Sequence, residues 1–230
     1  MISEQNYNKL LEKFDDISSF AIYKESKNND KATSENISYE EAIENHQKDY
    51  INPSNIILMV NPSAKREQSP DSNFSSFHHS NINDRHLRFL TMKTSTFWRN
   101  LYGSYVTDLF SDVVESVMDN LISAVKDDNK KDYRKQSYKK LIEQLEILSQ
   151  DSKEEKLNIY VCGALSKSKR KDFIFFIEEL IEEISENSDL NIELSFYAVY
   201  HPGYQNLKKL IQGGCEKIVK HSMKVEWNSS

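Results

Sequence analysis

The chain has 230 residues, 38% of them hydrophobic, with a formal charge of −6, which is enough for one sizeable core but hardly for two full domains. The acidic balance argues mildly against an obligate nucleic-acid binder, so any such role must rest on local cationic clusters. Two cysteines, Cys162 and Cys215, are too few for an iron–sulfur cluster or a cysteine-based zinc site and read as free thiols.

In chain order, Leu10, Leu11 and Phe14 fall at helical spacing, and Ile17 to Tyr23 reads as a short strand or buried extended piece. A polar stretch from Lys24 to Asn36 reads as a loop. Residues 39–50 read as a helix capped by Ser38 with Glu41 in the capping-box position. Residues 1–50 are thus expected to be an N-terminal helical extension packed on a core formed by residues 51–230.

From residue 51 the chain alternates. An apolar run Ile56 to Val60 is followed by a polar segment, 63–83, and by helical spacing at Leu87, Leu90 and Thr91. A second strand at Ser104 to Thr107 ends at Asp108, and helical segments cover about 111–150. A third strand, Leu157 to Cys162, is turned by Gly163 and followed by a helix over 172–185. The fourth, Ile192 to Tyr200, precedes a turn and a helix over 206–221. Strands separated by helices imply right-handed crossovers and a central four-stranded parallel sheet in three α/β/α layers. The strands are almost wholly apolar, which fits burial on both faces. Phe97, Trp98, Tyr102 and Tyr105 read as core aromatics.

Each core strand ends in a polar or flexible residue: Asn61, Asp108, Gly163 with Ser166, and His201. In an open parallel sheet ligands bind beyond the carboxyl ends of the strands, so Asn61-Pro62-Ser63 and His201-Pro202-Gly203-Tyr204 are expected to converge on one cleft. Asn followed by Pro is also an ordinary turn initiator, and His201 could be a satisfied turn histidine. Cations follow the same strand ends: Lys65 and Arg66, then Lys167, Lys169, Arg170 and Lys171, then Lys208 and Lys209. Such a basic rim suits a phosphate backbone, or it simply solvates helix ends. The cluster Phe77-His78-His79 with Asp84 and His86 matches no familiar zinc spacing, and no metal site or cofactor is expected. Phosphate-loop, dinucleotide, Gly-x-Ser-x-Gly and His-Glu-x-x-His motifs are all absent from the sequence.

Taken together, Val60-Asn61-Pro62-Ser63, Phe77-His78, Tyr102-Gly103-Ser104-Tyr105-Val106-Thr107-Asp108 and His201-Pro202-Gly203-Tyr204 resemble the motifs of the uracil-DNA glycosylase superfamily. The likeness covers roughly residues 51–215. It implies hydrolysis of the N-glycosidic bond of a flipped-out uracil or modified base in single- or double-stranded DNA, in repair or against foreign DNA. The resemblance assigns water positioning to Asn61 and leaving-base stabilisation to His201. It places Phe77 as the stacking ring, Asp108, Ser63 and His78 in substrate binding, and Lys65, Lys167 and Tyr204 on DNA. Departures from the family are Met59, where a glycine is usual two positions before Asn61, and Gly203, where a serine is usual. An acidic Asp108 suggests a donor-bearing base such as cytosine. Two other functions stay open: a non-catalytic or weakly catalytic nucleic-acid binder of the same fold, and a nucleotide or nucleoside hydrolase using the same crevice on small substrates. The start, Met1-Ile2-Ser3, has neither a basic region nor an apolar leader, and no window approaches the ~20 apolar residues of a membrane span. A monomeric, cytoplasmic protein is expected.

Overall fold

A computed structural model describes residues 2–23, 51–61, 74, 76–78, 82–93, 97–115, 117–153, 155–203, 210–211 and 214–218. The expected loop at 24–36 and helix at 39–50 lie outside the described residues, as do Ser63, Lys65, Arg66, His79, Tyr204, Lys208 and Lys209.

The core is a six-stranded sheet in the order β1-β3-β2-β4-β5-β6. Its four central strands are parallel: β3 (Ser104–Asp108), β2 (Asn52–Met59), β4 (Lys156–Cys162) and β5 (Glu193–Val199). These are the four strands the sequence predicts. The sheet is wider than expected, because an antiparallel strand closes each edge. β1 (Ser18–Phe20) pairs with β3, Ser19 opposite Val106. β6 (Glu216–Lys217) pairs with β5, Ala198 opposite Glu216. β6 also corrects the helix expected over 206–221. Leu210 and Ile211 are helical, but Glu216 and Lys217 are strand. Gly214 packs closely on Leu165, since a Cβ there would lie 2.9 Å from its Cδ2. β2 starts four residues earlier than its apolar run: Pro53 cannot donate to the ladder, and the register shifts between Asn52 and Ile56, where Asn52 Oδ1 accepts from Ser54 N–H at 3.0 Å.

Two hydrophobic clusters lie on opposite faces of the sheet. On one, Ile56, Leu58, Val60, Tyr105, Ile159, Val161 and Phe196 pack under α1 (Glu4–Phe14), α3 (Met118–Lys126), α4 (Lys131–Ser149) and α5 (Arg170–Asn187). On the other, Ile57, Met59, Val106, Cys162 and Val199 are covered by Leu87 and Leu90 of α2 (Ile82–Lys93), by Trp98 and Leu101 of a short 3-10 turn, and by Leu210. β4 alternates in burial rather than being closed on both sides as its composition suggested. Asn158 and Tyr160 are half-buried, and Tyr160 stacks on Tyr197 with ring centroids 5.2 Å apart. Trp98 and Tyr105 are core aromatics, as expected.

Local chemistry holds the first face together. Ser3 caps α1, its Oγ accepting from Asn6 N–H at 3.3 Å, and the Asp151 carboxylate accepts from Ser3 N–H, Ser3 Oγ–H and Asn6 Nδ2–H, tying α1 to the chain beyond α4. Arg134 of α4, 2% exposed, donates to Val125 O and Asp127 O and makes a paired contact with both oxygens of Glu179 on α5. Burial alone would raise the Glu179 carboxyl, but its hydrogen bonds from Arg134 and Tyr138 outweigh this and hold it below the usual range.

The connections place the site. The chain leaving β2 crosses to β3 through α2 on one face, whereas the chain leaving β4 crosses to β5 through α5 on the other. β2 and β4 are neighbours in the sheet, so their carboxyl ends diverge and open a crevice at the switch point.

Candidate active site

A cavity of about 370 Å³ occupies that crevice. It is lined by Asn61, Asn83, Glu115, Met118, Gly163, Ser166, Ser168, Lys169, Phe173, Tyr200, His201 and Gly203. The ends of β2, β4 and β5 therefore meet in one place, and Asn61 and His201, 140 positions apart in sequence, line the same space. Gly163 shapes its floor. With φ of +94° it turns the chain out of β4, and a Cβ there would stand 3.3 Å from the Phe173 ring. Its N–H donates to Val199 O at 2.9 Å, joining the β4 turn to β5.

Asn61 donates both amide hydrogens to backbone carbonyls, Val113 O at 3.0 Å and Glu115 O at 2.8 Å. A carbonyl oxygen can only accept, so the orientation of the amide is fixed by chemistry. Toward any ligand or water, Asn61 can act only through Oδ1, as an acceptor.

His201 accepts at Nδ1 from Gly203 N–H at 3.0 Å. That bond selects the tautomer with the proton on Nε2. Burial pushes the imidazole down to about 4, so at neutral pH the ring is uncharged and presents a single N–H donor. The turn that carries it is braced from α2, where His86 Nδ1 lies 2.7 Å from Pro202 O; since that carbonyl accepts, Nδ1 of His86 donates. Asn83, one turn earlier, fills the space over Gly203, whose added Cβ would sit 2.2 Å from Asn83 Oδ1 and 3.2 Å from His201 Nδ1. Glycine at 203 leaves room for the Asn83 side chain.

The other expected residues are placed elsewhere. Asp108 ends β3 on the face covered by α2, 3% exposed, and is not among the described residues lining the cavity. Burial first, and the Asp108 carboxylate second, push the Cys162 thiol up. Phe77 belongs to the same buried cluster, held at φ of +66°, a region disfavoured for a bulky residue. His78 Nε2 lies 2.7 Å from Ser19 Oγ and 3.1 Å from Phe20 O, and its ring packs on Tyr23. These contacts fasten the segment to β1. Among the described residues, the six-membered aromatic rings lining the cavity are those of Phe173 and Tyr200.

The expected basic rim is partly neutralised. Lys169 is engaged by Asp119, and Arg170 grips both oxygens of Glu216 at 2.7 and 2.8 Å. Lys167 and Lys171 remain exposed. Among the described residues no three His, Cys, Asp or Glu side chains group as a metal site, and no helix is long and apolar enough to cross a membrane. The cysteines are free thiols, Cys162 buried and Cys215 exposed.

Sequence reasoning did not identify Asn83, Glu115 or Phe173. Phe173 follows the apolar periodicity of α5 and carries no local sign of a site. Asn83 and Glu115 come from the start of α2 and the loop before α3, which only the tertiary fold brings to the strand ends. Comparison with protein-family models, characterised proteins and solved structures finds no match.

Proposed function

We propose that this chain is a DNA glycosylase resembling the uracil-DNA glycosylase superfamily, hydrolysing the N-glycosidic bond of a flipped-out base. The observation that carries the reading is the pairing, in one cavity, of an acceptor fixed in place, Asn61, with an uncharged imidazole donor, His201. Heterolysis of the bond to a base leaves an oxocarbenium-like sugar and a base anion. A neutral N–H aimed at a base oxygen strengthens as that anion develops, without the desolvation cost of a buried cation. Asn61 Oδ1 can accept from a water and direct its lone pair at the anomeric carbon. Phe173 and Tyr200 offer faces for an extruded base, and the Asn83 carboxamide offers a donor and an acceptor for its edge. Val114 and Val117, the large apolar side chains exposed among the described residues, stand beside the cavity residues Glu115 and Met118. They suit insertion into the stack that a flipped base vacates.

The decisive experiment is base release from single- and double-stranded oligonucleotides carrying uracil, hypoxanthine, thymine mismatches or modified cytosines, scored as abasic sites. Wild type is expected to release one of these bases, with Asn61→Ala and His201→Ala losing release while retaining DNA affinity. No release across the panel overturns the reading.

A second reading, a hydrolase of free nucleosides, is favoured by one observation. The cavity-lining cation Lys169 and its neighbour Arg170 are already engaged by carboxylates. Release of base from free deoxynucleosides, with DNA affinity absent at low salt, would select it.

A further inference from the structure

We infer that Glu115 is a catalytic residue of this site, supplying the carboxylate that Asn61 lacks; the inference rests on the glycosylase reading. Among the described residues lining the cavity, Glu115 alone bears a carboxyl group. Its backbone carbonyl accepts from the Asn61 amide at 2.8 Å, which sets the two residues side by side. Its side chain is held at the start of α3, where Oε1 accepts from Val117 N–H at 2.8 Å. No other described residue donates to the carboxylate, and no described cation pairs with it. The cation lining the cavity, Lys169, is taken by Asp119.

The arrangement answers a chemical difficulty. An amide cannot remove a proton from water, and an aspartate cannot replace Asn61 without facing the Val113 and Glu115 carbonyl oxygens. Glycosidic hydrolysis uses a carboxylate opposite the leaving group as base or as electrostatic partner of the cationic sugar. Here that group comes from the neighbouring loop. The bond from C1′ to the base nitrogen breaks, its electron pair leaving with the base as His201 Nε2–H bonds the base oxygen. Water, its hydrogen held by Asn61 Oδ1, forms the new bond to C1′ and gives a proton to the Glu115 carboxylate. That proton passes to solvent, and the base anion takes one from solvent. The balance is substrate and water to abasic sugar and protonated base.

The test compares wild type with Glu115→Gln, which keeps the acceptor for Val117 N–H and removes the charge. Two readouts are taken: base release from the oligonucleotide that wild type cleaves, and affinity for single-stranded oligonucleotides carrying either a pyrrolidine abasic analogue, cationic at the sugar ring, or a neutral tetrahydrofuran analogue. Glu115→Gln is expected to lower release about 100-fold or more. Wild type is expected to prefer the cationic ring by about 10-fold, and the variant to bind both alike. Glu115→Asp, which keeps the charge and shortens its reach, should be intermediate in release and keep the cationic preference, and it serves where the Gln variant melts early. Release within about threefold of wild type, or an unchanged cationic preference, overturns the role of Glu115 while leaving the glycosylase reading intact. Absence of release by wild type overturns that reading and this role with it.

Discussion

Asn61 is an asparagine for a structural reason as well as a chemical one. In Asn61→Asp a carboxylate would face two carbonyl oxygens, losing two hydrogen bonds and gaining repulsion, at a cost of about 1–3 kcal/mol. For a chain of this size that lowers the melting temperature by roughly 2–4 °C per kcal/mol. The neutral acid can still donate one hydrogen bond, so the folded-state carboxyl is shifted up. Its stabilising form is therefore present at low pH and lost as pH rises. Thermal melts should show the deficit of Asn61→Asp at pH 7 and a smaller one near pH 4. His201 carries the opposite sign. Its folded-state value is depressed from 6.5 to about 4, so the stability it contributes is complete above 6.5 and declines as pH falls from 6.5 through 4. Its imidazole resonances should stay constant between pH 8 and 5.5 in an NMR titration, and a midpoint near 6.5 would refute the neutral donor. At position 203 the sequence could be read only as a departure from a motif. The structure sets Asn83 against that glycine, and Gly203→Ser is expected to displace that side chain and weaken ligand binding, read as a rise in Kd with no loss of melting temperature.

At the level of elements, the regular parts of the fold were legible because their signals are local. The four parallel strands are apolar runs of strand length, and α4 and α5 show helical periodicity over many turns. The edge strand β1 was legible, since it lies within the extended piece read at Ile17 to Tyr23, whereas β6, two residues long, carries no such signal. Of the site, the residues at strand ends were legible, since the carboxyl edge of a parallel sheet is where loops gather. The aromatic assignment to Phe77 could not be resolved locally, because whether that ring enters the cleft or the α2-covered core depends on a positive φ. The junction between α4 and α5 depends on Arg134, which joins the end of α3 to Glu179. Arg134→Met leaves Glu179 with the Tyr138 hydroxyl as its described donor and removes the donor to the Val125 carbonyl, so a loss of about 1–3 kcal/mol is expected from urea unfolding. The loop from Val113 to Val117 joins Asn61, Glu115 and two exposed valines in one short segment. Val117→Asp should weaken activity on double-stranded DNA more than on single-stranded DNA, because only a duplex has a stack to be wedged open.

For the whole molecule, the acidic net charge and the paired rim cations act together. With Lys169 and Arg170 engaged, the described rim presents Lys167 and Lys171 to a phosphate backbone. Each neutralised phosphate contributes about 0.7–0.9 to the slope of log affinity against log salt. Lys167 and Lys171 together are expected to contribute about 1.4 to the magnitude of that slope in fluorescence anisotropy titrations with single-stranded DNA, read as its change in the Lys167→Ala, Lys171→Ala double variant. Glu216→Gln, which frees Arg170, should steepen the slope, whereas a slope unchanged by that substitution would show that Arg170 takes no part in backbone binding. The crevice at the switch point has one more consequence. Its walls come from the chain after β2 and the chain after β5, and the parallel pairing of β4 with β5 must be made before His201 reaches Asn61. Contacts so distant in sequence form late, because loop closure opposes them until the intervening helices have docked. On the ribosome, helices and the first parallel pairs can assemble while the cleft does not yet exist, and the cavity is complete only when β5 has emerged and docked.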